Sequence, residues 1–172
     1  EYEANLPMAA VFPPEIVKNT LGEALARAGL KQLRIAETEK YAHVTYFFNG
    51  GREEKSAGED QILIPSPAVS SYDEKPEMSA EEITDQVVKA VGQDSYDFIL
   101  INFANADMVG HTGNLPATIK AVEAVDSCLG RIVKSVLNQS GMLLVTADHG
   151  NAEELFNMQT GMIDKEHSAN PV

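Results

Sequence analysis

Tryptophan is absent from this 172-residue sequence, and cysteine occurs once, as Cys128. A single cysteine excludes a disulfide framework within the chain and is typical of proteins from a reducing cytosol. We expect Cys128 to pack inside a helix. Because aromatic residues make up only 6% of the chain, Val, Ile, Leu and Ala have to fill most of the core. No apolar run approaches the roughly 20 residues of a membrane span, and we see no signal peptide, so we expect a cytoplasmic protein without a membrane partner.

Basic residues are also scarce, since 13 Lys and Arg stand against 26 Asp and Glu, for a net charge of -13. General repulsion therefore opposes binding to nucleic acid or to an anionic membrane surface. A small phosphate ester is still a compatible substrate, because bound divalent cations can dominate the field of a site. The length and the 44% hydrophobic content suit one ordinary globular domain.

The two ends of the chain are unusual for a natural protein. The first residue is Glu1, and the last, Val172, closely follows a segment that contains a histidine. We therefore expect a piece of a longer protein. Residues 1–17 contain three prolines and predict an irregular lead-in. Residues 18–172 then form a partial domain.

Apolar runs alternate with helical patterns along the chain. We predict strands over residues 32–36, 43–48, 61–64, 98–103 and 142–146. We predict helices over residues 19–28, 79–91 and 114–137. Ser79 and Glu82 are expected to form a capping box, and the continuous apolar run 98–103 is typical of a strand covered on both faces. The alternation predicts an α/β sandwich with a mainly parallel sheet, whose functional residues lie just past the carboxyl ends of the strands.

Two polar motifs follow directly after predicted strands. Asp107 and His111 are four residues apart in the loop after the fourth predicted strand. Asp148 and His149 are adjacent, directly after the fifth. Each pair is able to chelate one cation. Each pair alone also fits an ordinary polar loop.

Three of the four histidines lie in these motifs or in a later loop that contains His167. His167 alone is weak evidence, but the joint pattern is stronger than its parts. Carboxylate and imidazole ligands without thiolate suit Mn²⁺, Zn²⁺ or Mg²⁺. Five ligands are too many for one compact site that stays open to substrate, so we predict two ions. Paired ions can stabilise both the attacking and the leaving oxygen of a phosphoryl transfer.

The segments 107–113 and 146–153, with the segment around His167, resemble the metal motifs of the cofactor-independent phosphoglycerate mutases. These enzymes belong to the alkaline phosphatase superfamily. Further stretches similar to that mutase are residues 34–41, 47–51 and 66–79. The motif at 148–150 is shared across the superfamily, whereas the further stretches select the mutase. The resemblance covers nearly the whole chain and implies an alkaline-phosphatase-like sandwich with a mainly parallel sheet flanked by helices, here incomplete.

The resemblance also implies roles for single residues. One Mn²⁺ would be held by Asp107, His111 and His167, and the second by Asp148 and His149. Lys40 matches a lysine that contacts the substrate phosphate, although without the resemblance it would be interpreted as an exposed, solvated lysine. His43 matches no role, and we expect it to be structural.

The family interconverts 3-phosphoglycerate and 2-phosphoglycerate in glycolysis through a phosphoserine intermediate, and we expect the full-length enzyme to be monomeric. In the family, the nucleophilic serine and a further metal-binding aspartate come from an N-terminal segment that this chain lacks. The arginine-rich domain that holds glycerate is missing as well. No nucleophile is assigned to the serines of this chain, among them Ser66, Ser70, Ser71 and Ser168. We therefore expect an incomplete second metal site and no mutase activity from this chain alone.

Three alternatives stay open. The chain could belong to another enzyme of the superfamily, a phosphopentomutase or a phosphatase, although residues 37–41 and 66–79 argue against this. It could instead be a catalytically inactive metal-binding fragment that serves as a scaffold or partner module. A measurement of its metal content would distinguish this alternative from the metal centre of an enzyme. A plain structural α/β domain would require the polar loops to be a coincidence.

Overall fold

A computed structural model describes residues 17–157 and 160–172, so the predicted lead-in falls outside it except for Val17. The α-helices are α1 (Leu21–Arg27), α2 (Ala80–Gly92), α3 (Asn105–Gly110) and α4 (Leu115–Asn138). The strands are β1 (Gln32–Glu37), β2 (Glu59–Ile64), β3 (Phe98–Asn102), β4 (Phe156–Asn157) and β5 (Met162–Ile163). Shorter turns are the 3₁₀ helices Thr38–Lys40, Tyr72–Glu74 and Ala152–Glu154 and the π-helix His43–Phe47.

The main sheet is parallel, as predicted, with the strand order β2-β1-β3. In its register, Ile35 of β1 pairs with Ile62 of β2 and Ile101 of β3. The central strand β1 is buried along its whole length. In contrast, every residue of the edge strand β3 is only half-buried. The prediction that both faces of this strand are covered is therefore wrong for the described part of the chain.

Helices α2 and α4 pack together and cover the sheet through Ile35, Ile83, Val87 and Ile132. Full burial of one such side chain contributes about 1.5–3 kcal/mol. Cys128 of α4 is completely buried, as predicted. A second cluster, centred on Val109, packs α3 against the start of α4 and thereby fixes the loop that follows β3. Within the described residues, no helix combines the length and the apolar character needed to cross a membrane.

The predicted helices are confirmed, but the predicted capping box is not. Ser79 donates its hydroxyl to the Pro65 carbonyl at 2.8 Å and makes no side-chain cap, because it is buried against the preceding loop. A capping box does occur at α1. There Thr20 accepts from the Glu23 backbone at 3.3 Å, and Glu23 accepts from the Thr20 backbone at 3.0 Å.

The strand predicted over residues 43–48 is wrong, because these residues form the π-helix and the turn that ends it. Thr45 donates its hydroxyl to the Tyr41 carbonyl at 2.7 Å, and the backbone N–H of Asn49 donates to the Thr45 carbonyl at 2.8 Å. Consecutive residues Val44 and Thr45 are both buried, which an alternating strand cannot achieve. Tertiary packing here overrides the β-propensity of the sequence.

The strand predicted over residues 142–146 is also wrong. The segment forms no ladder with any strand of the described chain. Leu143 packs against the core cluster of α2 and α4, but Met142 and Leu144 are each 87% exposed. An apolar run predicts a buried strand only when a neighbouring strand pairs with it, and a sequence pattern does not report that neighbour.

Candidate metal centre

The candidate site lies beyond the carboxyl ends of β1 and β3, where a parallel sheet places functional residues. Lys40 ends the 3₁₀ helix that follows β1, and Asp107 lies in α3 directly after β3. His167 arrives from the C-terminal segment. An antiparallel bridge between Gly150 and Ser168 attaches this segment to the loop of Asp148 and His149.

Asp107, His111 and His167, which the family resemblance assigns to one ion, lie close together in the structure. The Asp107 Oδ1 atom lies 3.0 Å from the Nε2 atoms of both His111 and His167. The two Nε2 atoms are 3.1 Å apart. Ligands held about 2.1 Å from a six-coordinate ion and at right angles to one another are separated by about 3 Å. The three donor atoms therefore have the spacing of one face of a divalent-cation site.

A hydrogen bond to the opposite ring nitrogen prepares His111 to be a ligand. Its Nδ1 atom lies 2.6 Å from the Lys165 carbonyl oxygen, which can only accept. The proton of the neutral ring therefore sits on Nδ1, and the Nε2 lone pair faces Asp107 and His167. His149 makes a longer contact of the same kind, 3.3 Å from Nδ1 to the Gly150 carbonyl oxygen.

Asp148 and His149 lie beside this group. The His149 Nε2 atom is 3.7 Å from Asp148 Oδ1 and 4.0 Å from Asp107 Oδ1. Its ring stacks on the His167 ring with 3.7 Å between centroids. Asp148 accepts a 2.9 Å hydrogen bond from the Asn102 amide at the end of β3. Among the described residues, the Asp107 group is the one that brings three ligand atoms together, so a second ion at Asp148 and His149 stays a prediction.

Lys40 is buried, with only 4% of its surface exposed, so the interpretation of its pattern as an exposed, solvated lysine is wrong. Its Nζ atom lies 2.5 Å from Asp107 Oδ2, the oxygen that faces away from the histidines. Burial raises the pKa of Asp107, but the hydrogen bond and the charge of Lys40 oppose this effect, and the pKa lies below its ordinary value. Asp107 is therefore an ionised carboxylate, and its Oδ1 atom, which lies beside both histidines, is the oxygen that could bind a cation.

Asn151 is a site residue that the sequence reasoning missed. It is 4% exposed, and its Nδ2 atom donates to Asp107 Oδ1 at 3.1 Å and lies 3.4 Å from His111 Nε2. Gly110 makes room for it, because a Cβ atom there would lie 2.3 Å from Asn151 Oδ1. The only signal in the sequence was its position directly after the Asp-His-Gly motif.

His43 lies at the start of the π-helix, outside the three-ligand group. Its ring packs on Phe47 with 5.5 Å between centroids, and its Nδ1 atom is buried without a hydrogen-bond partner among the described residues. Burial, and to a lesser extent the charge of Lys40, lowers its pKa. The expected structural role of His43 stays a prediction.

The fold and this donor set define a class: a parallel α/β protein with a cluster of carboxylate and imidazole groups that could hold a metal ion. Residues 5–172 match the family described as the Metalloenzyme superfamily. The chain belongs to this superfamily, whose members bind divalent metal ions.

Comparison with individual proteins points to one enzyme within the superfamily. The chain is 56% identical over all 172 residues to the 2,3-bisphosphoglycerate-independent phosphoglycerate mutase of Nitrosococcus oceani, and covers 33% of that protein. It is 61% identical over 155 residues to the mutase of the same name from Moorella thermoacetica, a match that covers 90% of the chain and 30% of that protein. A phosphoglycerate mutase from Leishmania mexicana, solved at low cobalt concentration, superposes on 88% of the chain and 30% of its own length, with a TM-score of 0.83 and 36% identity. The chain therefore spans about a third of the length of these relatives.

Proposed function

We propose that this chain is the metal-binding portion of a mutase that interconverts 3-phosphoglycerate and 2-phosphoglycerate in glycolysis through a phosphoserine intermediate. The observation that carries the proposal is the convergence of Asp107, His111 and His167, in a chain that matches named mutases over its whole length. The nucleophilic serine is proposed to lie outside this chain.

The residues of the chain have distinct parts in this proposal. Asp107, His111 and His167 hold one cation, and Asp148 with His149 contributes to a second. Lys40 donates one of its three ammonium hydrogens to Asp107, and the other two are available to bind a substrate phosphate. Fixed positive charge at that point stabilises a transferring phosphoryl group without rearrangement during the reaction.

We propose that both cations are Mn²⁺. Oxygen and imidazole donors without thiolate suit this ion, and the chemistry that it would supply is neutralisation of charge on the phosphoryl oxygens. Cytoplasmic location and a monomeric full-length enzyme are also proposed. The single, buried Cys128 thiol is consistent with a reducing compartment.

The 172-residue chain alone is expected to produce no 2-phosphoglycerate from 3-phosphoglycerate in the presence of Mn²⁺, because the proposed nucleophile is outside it. A full-length mutase from one of the relatives, assayed in the same buffer, serves as the positive control. Clear turnover by the isolated chain would show that the nucleophile is among its own serines.

For the full-length protein, a panel of phosphate esters tests the identity of the substrate. A preference for a phosphopentose would replace the mutase proposal.

A further inference from the structure

His167 has the most exposed side chain of the three proposed ligands. Its side chain is 48% exposed, and most of residues 160–172 are exposed as well. Apolar burial therefore contributes little to its position. A ligand on such a segment needs polar contacts to hold its ring within reach of Asp107, because metal sites depend on the groups that orient their ligands.

Glu153 supplies these contacts. Its carboxylate accepts hydrogen bonds from the Ser168 hydroxyl, from the side-chain NH₂ group of Asn170 at 3.1 Å and from the backbone N–H of Asn151 at 2.8 Å. The hydrogen bond from Ser168 is the largest of the influences that lower the pKa of Glu153 to about 2. One ionised side chain thus ties the residue after His167 to the turn that carries Asn151.

The close packing around Gly150 also depends on the contact between Glu153 and Ser168. A Cβ atom at Gly150 would lie 2.1 Å from Ser168 Oγ and 2.2 Å from Glu153 Oε1, so the Glu153–Ser168 pair passes directly over it. The Ser168 amide also donates to the Gly150 carbonyl at 3.0 Å. The glycine of the Asp-His-Gly motif is therefore required here for close packing of the two segments.

We infer that Glu153 is a positioning residue that fastens the His167 segment over Gly150 and so completes the three-ligand cation site. The inference rests on the proposed metal function of Asp107, His111 and His167. Without the carboxylate, an amide at this position would present its NH₂ group to a backbone N–H or to the Asn170 amide. The segment would then loosen, and the site would keep two of its three ligands.

Calorimetric titration of the metal-free 172-residue chain with Mn²⁺ tests this role. Glu153→Gln is expected to weaken binding by about tenfold or more, the range typical of residues that orient metal ligands. Glu154→Gln is the matched control, because it makes the same change in charge one residue away, and the glutamine carbonyl oxygen can still accept the one hydrogen bond that Glu154 receives, from the Asn170 side chain. It is expected to change the affinity less than twofold. Ser168→Ala breaks the same hydrogen bond from the other side and should reproduce the loss.

A double-mutant cycle distinguishes positioning from general damage. In a His167→Ala background, Glu153→Gln is expected to cause little further loss, because the ligand on which it acts is gone. Equal affinities for Glu153→Gln and Glu154→Gln, or an undiminished loss in the His167→Ala background, would overturn the inference. Failure of the proposed function looks different: His111→Ala would then bind Mn²⁺ as tightly as the wild type, whatever Glu153 does.

Discussion

Replacing His111 by alanine is expected to weaken Mn²⁺ binding by about a hundredfold or more. The His111 Nε2 atom lies 3.0 Å from Asp107 Oδ1 and 3.1 Å from His167 Nε2, so the substitution removes one of three converging ligands. Even residues that only orient ligands change metal affinity by about 10–100-fold, and a direct ligand should exceed this. Isothermal titration calorimetry with Mn²⁺ measures the change.

Thermal unfolding gives a second reading of the same substitution. At a free Mn²⁺ concentration of 100 times the dissociation constant of the wild type, the wild type should gain about 2.7 kcal/mol of stability, and a variant with hundredfold weaker binding should gain about 0.4 kcal/mol. His43→Ala is the matched control, because it removes an imidazole that lies outside the three-ligand group. A similar loss of affinity in both variants would argue against a specific role of His111.

Replacing Lys40 by methionine is expected to lower the free energy of unfolding by about 3 kcal/mol at neutral pH. The side chains of Lys40 and Asp107 are 5% and 11% exposed, and removal of one partner leaves the other as an unpaired buried charge. Breaking a buried ion pair in this way costs about 3–5 kcal/mol. Urea unfolding at several pH values measures the effect, with the exposed Lys134→Met as the control.

The pH dependence of this loss has a defined sign. The folded-state pKa of Asp107 is lowered relative to the unfolded chain, so its contribution is complete above the unfolded-state pKa and is lost as the pH falls through the lowered pKa. In Lys40→Met, the burial of Asp107 is no longer outweighed, and its pKa should rise. The difference between the two proteins should therefore be largest at neutral pH and disappear in acid. A deficit that is independent of pH would show that lost packing, not the ion pair, is responsible.

The parts of the fold that were predicted correctly are those whose patterns report on their own neighbours. The apolar residues Leu33, Ile35 and Ala36 of β1 are fully buried in a strand that lies between two others, and the spacing of apolar residues in α2 and α4 reflects one buried face each. Residues 43–48 and 142–146 are also mostly apolar. Their structure depends on which segment packs beside them, and this information is not local.

The candidate site divides in the same way. Asp107, His111 and His167 were accessible to sequence reasoning, because their residue types are unusual in combination and their motifs resemble a known family. Asn151 and Glu153 have ordinary residue types in a polar loop. Their contacts cross 44 residues to Asp107 and 15 residues to Ser168, so only the folded chain reveals them.

A crystal structure of the chain grown with Mn²⁺, with anomalous differences collected at the manganese absorption edge, tests the central claim most directly. The predicted result is an anomalous peak within about 2.3 Å of Asp107 Oδ1, His111 Nε2 and His167 Nε2, in line with the distances usual for such ligands. A peak bound elsewhere on the chain, or none at Mn²⁺ concentrations that saturate binding in solution, would contradict the assignment of this cluster as the metal centre.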